Sequence, residues 1–182
     1  MLARENPFAT HRLEALRYRW PRVTVASLTS RFEAMGARAA LVGPKGTGKT
    51  ALLREIGHEL VRRGWRIREV RGGRKLPPPE PGCCLLIDGA ERIDWPRWLA
   101  WRLRYRGAML ITAHRGGRLP LLHRCESDPG ILRDLARELG VEIAPAESER
   151  LFLDHAGNLR DALLALYTTY ASKNGSPGLR YL

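Results

Sequence analysis

The sequence predicts an α/β fold, a parallel sheet flanked by helices and followed by a small helical group, and three observations carry that expectation. Short apolar runs alternate with segments whose apolar residues recur every three or four positions, the pattern of strands joined by crossover helices. Two of the runs, 39–42 and 83–88, are apolar almost throughout, as suits strands covered on both faces. Three helical segments then follow one another with no strand between them, after a change of charge balance near residue 125. That change sets the expected boundary, with a core over 1–126 and a helical lid with a short tail over 127–182.

The elements follow in order. Residues 11–19 and 24–35 are read as helices, with Leu13 and Leu16 and then Val25, Leu28, Phe32 and Met35 at helical spacing. Gly36 closes the second one. Ala39–Val42 is a buried strand ending at Gly43. Thr50–Arg63 places Leu52, Leu53, Ile56, Leu60 and Val61 at helical spacing and stops at Gly64. Trp65–Val70 is a second strand, and the Gly- and Pro-rich stretch 71–82 is a surface loop. Cys83–Asp88 is a third strand and Pro96–Tyr105 a helix. Ala108–Thr112 and Leu119–Leu122 complete the strands. Helices over Ile131–Leu139, Glu147–His155 and Leu159–Ala171 end the chain, with residues 173–182 expected to fray.

Composition bounds the function. The chain has 182 residues, 44% apolar and 27% charged, enough for one domain with a real core and a small appendage. That apolar content excludes disorder as the main state, and three cysteines exclude a disulfide scaffold. No apolar run is long enough to span a membrane, and the N-terminal residues lack the apolar stretch of a secretory signal. A cytoplasmic location is the expectation. Lys and Arg number 31 against 19 Asp and Glu, a net charge of +12, and 27 of the cations are Arg. The excess lies in residues 1–75 and 92–124, whereas 125–182 are mildly acidic. Such asymmetry suits an anionic partner, whether a nucleic acid such as DNA, a nucleotide or an acidic protein surface, though charge alone favours a solvated Arg-rich surface.

The strongest motif is Gly43-Pro44-Lys45-Gly46-Thr47-Gly48-Lys49-Thr50, which fits G-x-x-x-x-G-K-[ST] between a strand and a helix. Gly43, Gly46 and Gly48 let the backbone wrap a phosphate with its N–H groups turned inward. The helix that begins there, with Lys49, Thr50 and Ala51 in its first turn, adds free amides and a positive dipole end. Lys49 would reach the β- and γ-phosphates of ATP, and Thr50 would ligate Mg²⁺ through its hydroxyl. Leu85-Leu86-Ile87-Asp88 supplies a carboxylate at a strand's C-terminal edge, where open α/β sheets bind ligands. Asp88 is therefore the second candidate for Mg²⁺, as in a Walker B strand. The position directly after it, where many P-loop ATPases carry a water-orienting Glu, is Gly89. Glu91 is the nearest substitute, as a water-orienting base or as an acid at a helix start.

Two further segments carry a family resemblance. Met109-Leu110-Ile111-Thr112 is an apolar strand ending in a polar residue, and Gly157-Asn158-Leu159-Arg160-Asp161 opens the last helix. Together with the phosphate loop and the Asp88 strand, in this order, they resemble the AAA+ ATPases over about residues 36–172. The resemblance implies a P-loop NTPase core with a small helical lid, Thr112 at the sensor-1 position and Arg160 at the sensor-2 position, both touching the nucleotide. Leu122-His123-Arg124-Cys125 is similar to the Ser-Arg-Cys element of clamp-loader ATPases, with His123 in place of Ser. It implies that Arg124 acts in trans on the ATP of a neighbouring copy in a homo-oligomer. Bound ATP or ADP would then switch the affinity for a partner. A small P-loop kinase and a nucleotide-binding module with little hydrolysis stand as alternatives, the second favoured by Gly89.

The tryptophans and cysteines suggest structural roles. In Pro96–Tyr105, Trp98, Trp101 and Tyr105 share one helical face and Leu99, Leu103 and Arg106 another. The aromatic face would pack against the sheet, with clamping of a nucleic acid or a protein as the alternative. Cys83, Cys84 and Cys125 have no metal-ligand spacing and are expected as reduced thiols.

Overall fold

The computed structural model describes residues 23–174 apart from Leu76 and Pro79. The expected helix over 11–19, and the tail beyond Asn174, lie outside the described residues. The chain divides between Glu126 and Ser127 into two compact units.

The first unit is built on five parallel strands: β1 (Arg38–Val42), β2 (Arg66–Arg71), β3 (Cys83–Asp88), β4 (Met109–Ala113) and β5 (Leu121–Arg124), in the order β2-β3-β4-β1-β5. Helices α1 (Val25–Ala34) and α2 (Lys49–Arg62) lie on one side, and α3 (Trp95–Arg104) on the other. The central strands are apolar throughout because both faces are covered. Ala39, Leu41, Cys84, Leu86 and Leu110 join the core that holds α1 and α2. Ala40, Val42, Leu85, Ile87, Met109 and Ile111 join the core that holds Trp98. Alternate residues of each strand thus supply two cores, so no polar face remains.

Local signals set the helix limits. Thr24 caps α1, its side chain accepting from Ser27 N while the Ser27 hydroxyl accepts from Thr24 N. On α2, Leu52, Ile56 and Leu60 are fully buried, each contributing about 1.5–3 kcal/mol of apolar burial. Gly57 lets that helix approach β3 closely, since a Cβ there would stand 2.7 Å from Leu86 Cδ1. Helix α3 starts at Trp95, one residue before expectation, because Asp94 accepts from Arg97 N at 2.8 Å and Pro96 sits in the first turn.

Strand β5 runs two residues later than the apolar pattern suggests. Ala40 N donates to Pro120 O at 2.8 Å, and the pairing then slips between Ala40 and Leu41, so that Leu41 faces His123 and Val42 faces Arg124. This bulge carries the strand past its apolar residues to the edge of the glycine loop after β1, where Cys125 N donates to Val42 O.

The second unit contains α4 (Pro129–Glu138), α5 (Pro145–Asp154) and α6 (Leu159–Asn174). Leu132, Leu135, Ala136, Leu159, Ala162, Leu163 and Leu166 are buried in it. Asp128 caps α4 through Ile131 N, and the Ser127 hydroxyl donates to Gly157 O. No helix among the described residues is long and apolar enough to cross a membrane.

Candidate functional site

The site lies at the C-terminal ends of β1, β3 and β4, because the strand order inserts β4 between the strand that feeds the glycine loop and the strand that ends in Asp88. Three segments remote in sequence therefore meet there.

The loop between β1 and α2 is held open by backbone geometry. A Cβ at Gly43 would lie 2.2 Å from Cys125 O and 2.9 Å from Thr47 Oγ1, so only glycine fits between the loop and the end of β5. Gly48 takes a φ of +77° directly before the first turn of α2 and offers no side chain to cap it. The first amides of the helix are thus left for an anion. Thr47, 1% exposed, donates its hydroxyl to Pro44 O at 2.9 Å and pins the loop. Lys49 is 8% exposed, and its ammonium donates to Pro44 O, bent back over the same loop. Burial lowers its pKa from the usual lysine range, against the fields of Cys125, Glu91 and Asp88. Pro44 and Lys45 are exposed and Gly46 half-buried at the loop's outer turn, and Ala51 is half-buried in the first turn of α2.

Asp88 is the centre of a polar knot. Thr50 Oγ1 donates to its Oδ1 at 2.9 Å, and Thr112 Oγ1 donates to the same oxygen at 2.8 Å. Thr112 also accepts from Gly89 N at 2.7 Å, so its hydroxyl fixes both the carboxylate and the turn that follows. At 1% exposure Thr112 is buried with its hydrogen-bonding capacity used. A hydroxyl and a carboxylate side by side are hard oxygen donors of the kind that suits Mg²⁺, which draws further ligands from phosphate and water. Among the described residues there is no group of three His, Cys, Asp or Glu that could hold a metal by itself.

Glu91 sits in the single 3₁₀ turn Ala90–Arg92 after Gly89, whose φ of +77° swings the chain back. Its Oε1 lies 3.4 Å from His114 Nε2, and its Oε2 is buried with no hydrogen-bond partner. Two residues that the motifs did not single out surround it. His114 follows β4 directly. Arg118, 7% exposed, donates to Ile93 O, with its guanidinium carbon 4.9 Å and 5.2 Å from the ring centres of Trp95 and Trp98. Burial lowers the Arg118 pKa, and the Glu91 and Asp94 carboxylates oppose that. No spacing in the sequence pointed to either residue, because their relation to Glu91 runs through the β3–β4 pairing.

The remaining expected residues are placed separately. Arg124 is exposed at the end of β5. Arg160 is exposed near the start of α6 in the second unit, where Asn158, rather than Arg160, engages Asp161. Cys84 and Cys125 are buried free thiols whose pKa values burial pushes up to about 12 and about 11, and Cys83 is also buried and free. Trp98 is fully buried between α3 and the sheet, and Trp101 stacks on Tyr105 with ring centres 4.5 Å apart.

Comparison with known proteins bears on the fold. NtrX from Brucella abortus in complex with ADP is similar at 14% identity and a TM-score of 0.55, covering 90% of this chain and 54% of NtrX. The complex of the same protein with ATP gives 14% identity and a TM-score of 0.56, covering 91% and 53%. The fold is that of the P-loop NTPases. This chain spans about half the length of the solved NtrX chains it matches. No family model matches the sequence, and no curated protein does.

Proposed function

We propose that the chain is an ATP-binding P-loop protein of AAA+ type whose nucleotide state switches its interaction with a partner. One observation carries the reading: Thr50, Asp88 and Thr112 are joined through one carboxylate oxygen beside the glycine loop and the uncapped start of α2. The NtrX structures, solved with ATP and with ADP, support it at the level of a shared fold.

On this reading Gly43–Thr50 cradle the phosphates with backbone amides, and Lys49 exchanges the Pro44 carbonyl for a phosphate oxygen. Thr50 and Asp88 would hold Mg²⁺, which supplies charge neutralisation at the phosphates. Thr112 holds Asp88 in place and leaves Gly89 no freedom to turn. The unpartnered Oε2 of Glu91 would accept a proton or orient water once the γ-phosphate and its water enter the site, with His114 Nε2 3.4 Å from its other oxygen. Arg160 would read the nucleotide from the helical unit, and Arg124 would act in trans on a second copy. The basic excess of the first unit favours DNA or an acidic protein as the partner.

Binding of a fluorescent ATP analogue to the Lys49→Ala chain tests the assignment. Loss of a charged hydrogen bond to phosphate should weaken affinity by about 10- to 100-fold. Unchanged affinity would overturn it. Light scattering with ADP and with a slowly hydrolysed ATP analogue tests the oligomer: a larger species with the analogue, lost in Arg124→Ala, is expected.

A further inference from the structure

Beside the polar knot, on the side of Asp88 away from Thr112, lies an open cleft of about 650 Å³ over the ends of β2 and β3. Thr50 and Asp88 form one wall of it. Its lining carries five cations, Arg54, Arg68, Arg71, Arg74 and Lys75, against two carboxylates. Arg68 is paired with Glu80 at the rim. The side chains of the other four cations form no ion pair or hydrogen bond with any other described residue.

Their placement is fixed by the fold. Arg71 is the register partner of Asp88 across the β2–β3 ladder, and Arg54 follows Thr50 by one turn on α2. Arg74 and Lys75 come from the loop after β2, anchored where Gly72 N donates to Asp88 O at 2.7 Å. A Cβ at Gly72 would stand 1.8 Å from Gly89 O, so this loop can pack against the Asp88 turn only with glycine there. Four cations held around one concavity repel one another until an anion enters. Arginine forks match the paired oxygens of phosphate, and a concave wall concentrates their field.

We propose that this cleft is a second anion site, which takes a phosphate group of a ligand other than the nucleotide at Gly43–Thr50. Arg54, Arg71, Arg74 and Lys75 hold the phosphate beside the Thr50–Asp88 wall. The phosphate comes either from the backbone of a nucleic-acid strand or from a small phosphorylated molecule. The site goes beyond the nucleotide assignment and stands without it.

The test uses the whole chain with ADP and Mg²⁺ in excess, so that the glycine loop is filled. One arm measures anisotropy of a fluorescein-labelled ten-nucleotide single-stranded DNA across a salt series, and the other calorimetry with inorganic phosphate. The Arg71→Gln/Arg74→Gln double variant is compared with wild type and with Arg104→Gln/Arg106→Gln, which removes the same charge elsewhere. For a nucleic-acid source, the cleft variant should weaken DNA binding about tenfold or more and flatten the log–log salt slope by about 1.4, with a smaller change in the distal variant. For a small-molecule source, wild type binds inorganic phosphate saturably, the cleft variant does not, and DNA is not bound. The proposal is overturned if ADP-loaded wild type binds neither probe, or if the cleft variant matches either the wild type or the distal variant in every probe that binds. Binding of a fluorescent ADP analogue is measured on the same proteins. If wild type fails to bind it, the nucleotide assignment falls while the DNA arm still decides the cleft.

Discussion

Asp88 and Glu91 are three residues apart and sit in opposite electrostatic situations. Asp88 ends a strand and receives two hydroxyl hydrogen bonds at 2.9 Å and 2.8 Å on one oxygen. Glu91 lies in a single 3₁₀ turn, with one buried oxygen unpartnered and the other 3.4 Å from a histidine. A carboxylate whose neighbours use it is a fixed part of the scaffold. A carboxylate with one buried oxygen left unsatisfied is costly to the fold and calls for a functional account. On the proposed reading Asp88 holds and Glu91 acts, and three substitutions bear on that contrast.

The largest effect is expected at Glu91. On the proposed reading, Glu91→Gln keeps nucleotide affinity and lowers single-turnover ATP hydrolysis by about 10²–10⁴-fold. Hydrolysis at the wild-type rate would place Glu91 with the scaffold and favour a module that binds without hydrolysing. Thr112→Val comes next, because it removes the one hydroxyl that serves both Asp88 and Gly89 N. Leaving buried groups unpaired costs about 1–3 kcal/mol, a fall in Tm of about 2–10 °C for a chain of this size, measurable by calorimetry. An unchanged Tm would show that the knot is replaceable. His114→Gln is the smallest: an amide keeps a polar group beside Glu91, so hydrolysis should fall only a few-fold, whereas His114→Ala should fall further. Equal rates for the two would remove His114 from any role in holding Glu91.

The basic cleft extends the contrast outward. The central carboxylate of the site accepts two hydroxyl hydrogen bonds, while Arg54, Arg71, Arg74 and Lys75 one strand away form no ion pair with any described residue. On the two proposals, the same sheet edge would offer a metal-type site and an anion-type site next to each other.

Much of this was legible in the residues. Gly43–Thr50 and the apolar run ending in Asp88 marked a glycine loop before a helix and a strand-end carboxylate, because loop backbone and strand ends obey local rules. The alternation of strands and helices gave a parallel sheet for the same reason. β5 was read two residues early because its pairing with β1 slips at a bulge, which no periodicity encodes. Glu91 was visible as a candidate base, yet His114, 3.4 Å from it, was not, since the two meet only when β4 lies beside β3.

The sequence by itself determined that strands alternate with helices, that a glycine loop precedes a lysine at a helix start, and that the first part of the chain is basic. Those properties depend on neighbours within about one turn or one strand. Tertiary structure alone decided that β4 lies between β1 and β3, so that Thr112 touches Asp88, and that Arg54 and Arg71 flank one cleft. Such contacts join residues far apart in the chain, and the strand order that brings them together is set by how both faces of the sheet are covered at once, not by any single segment.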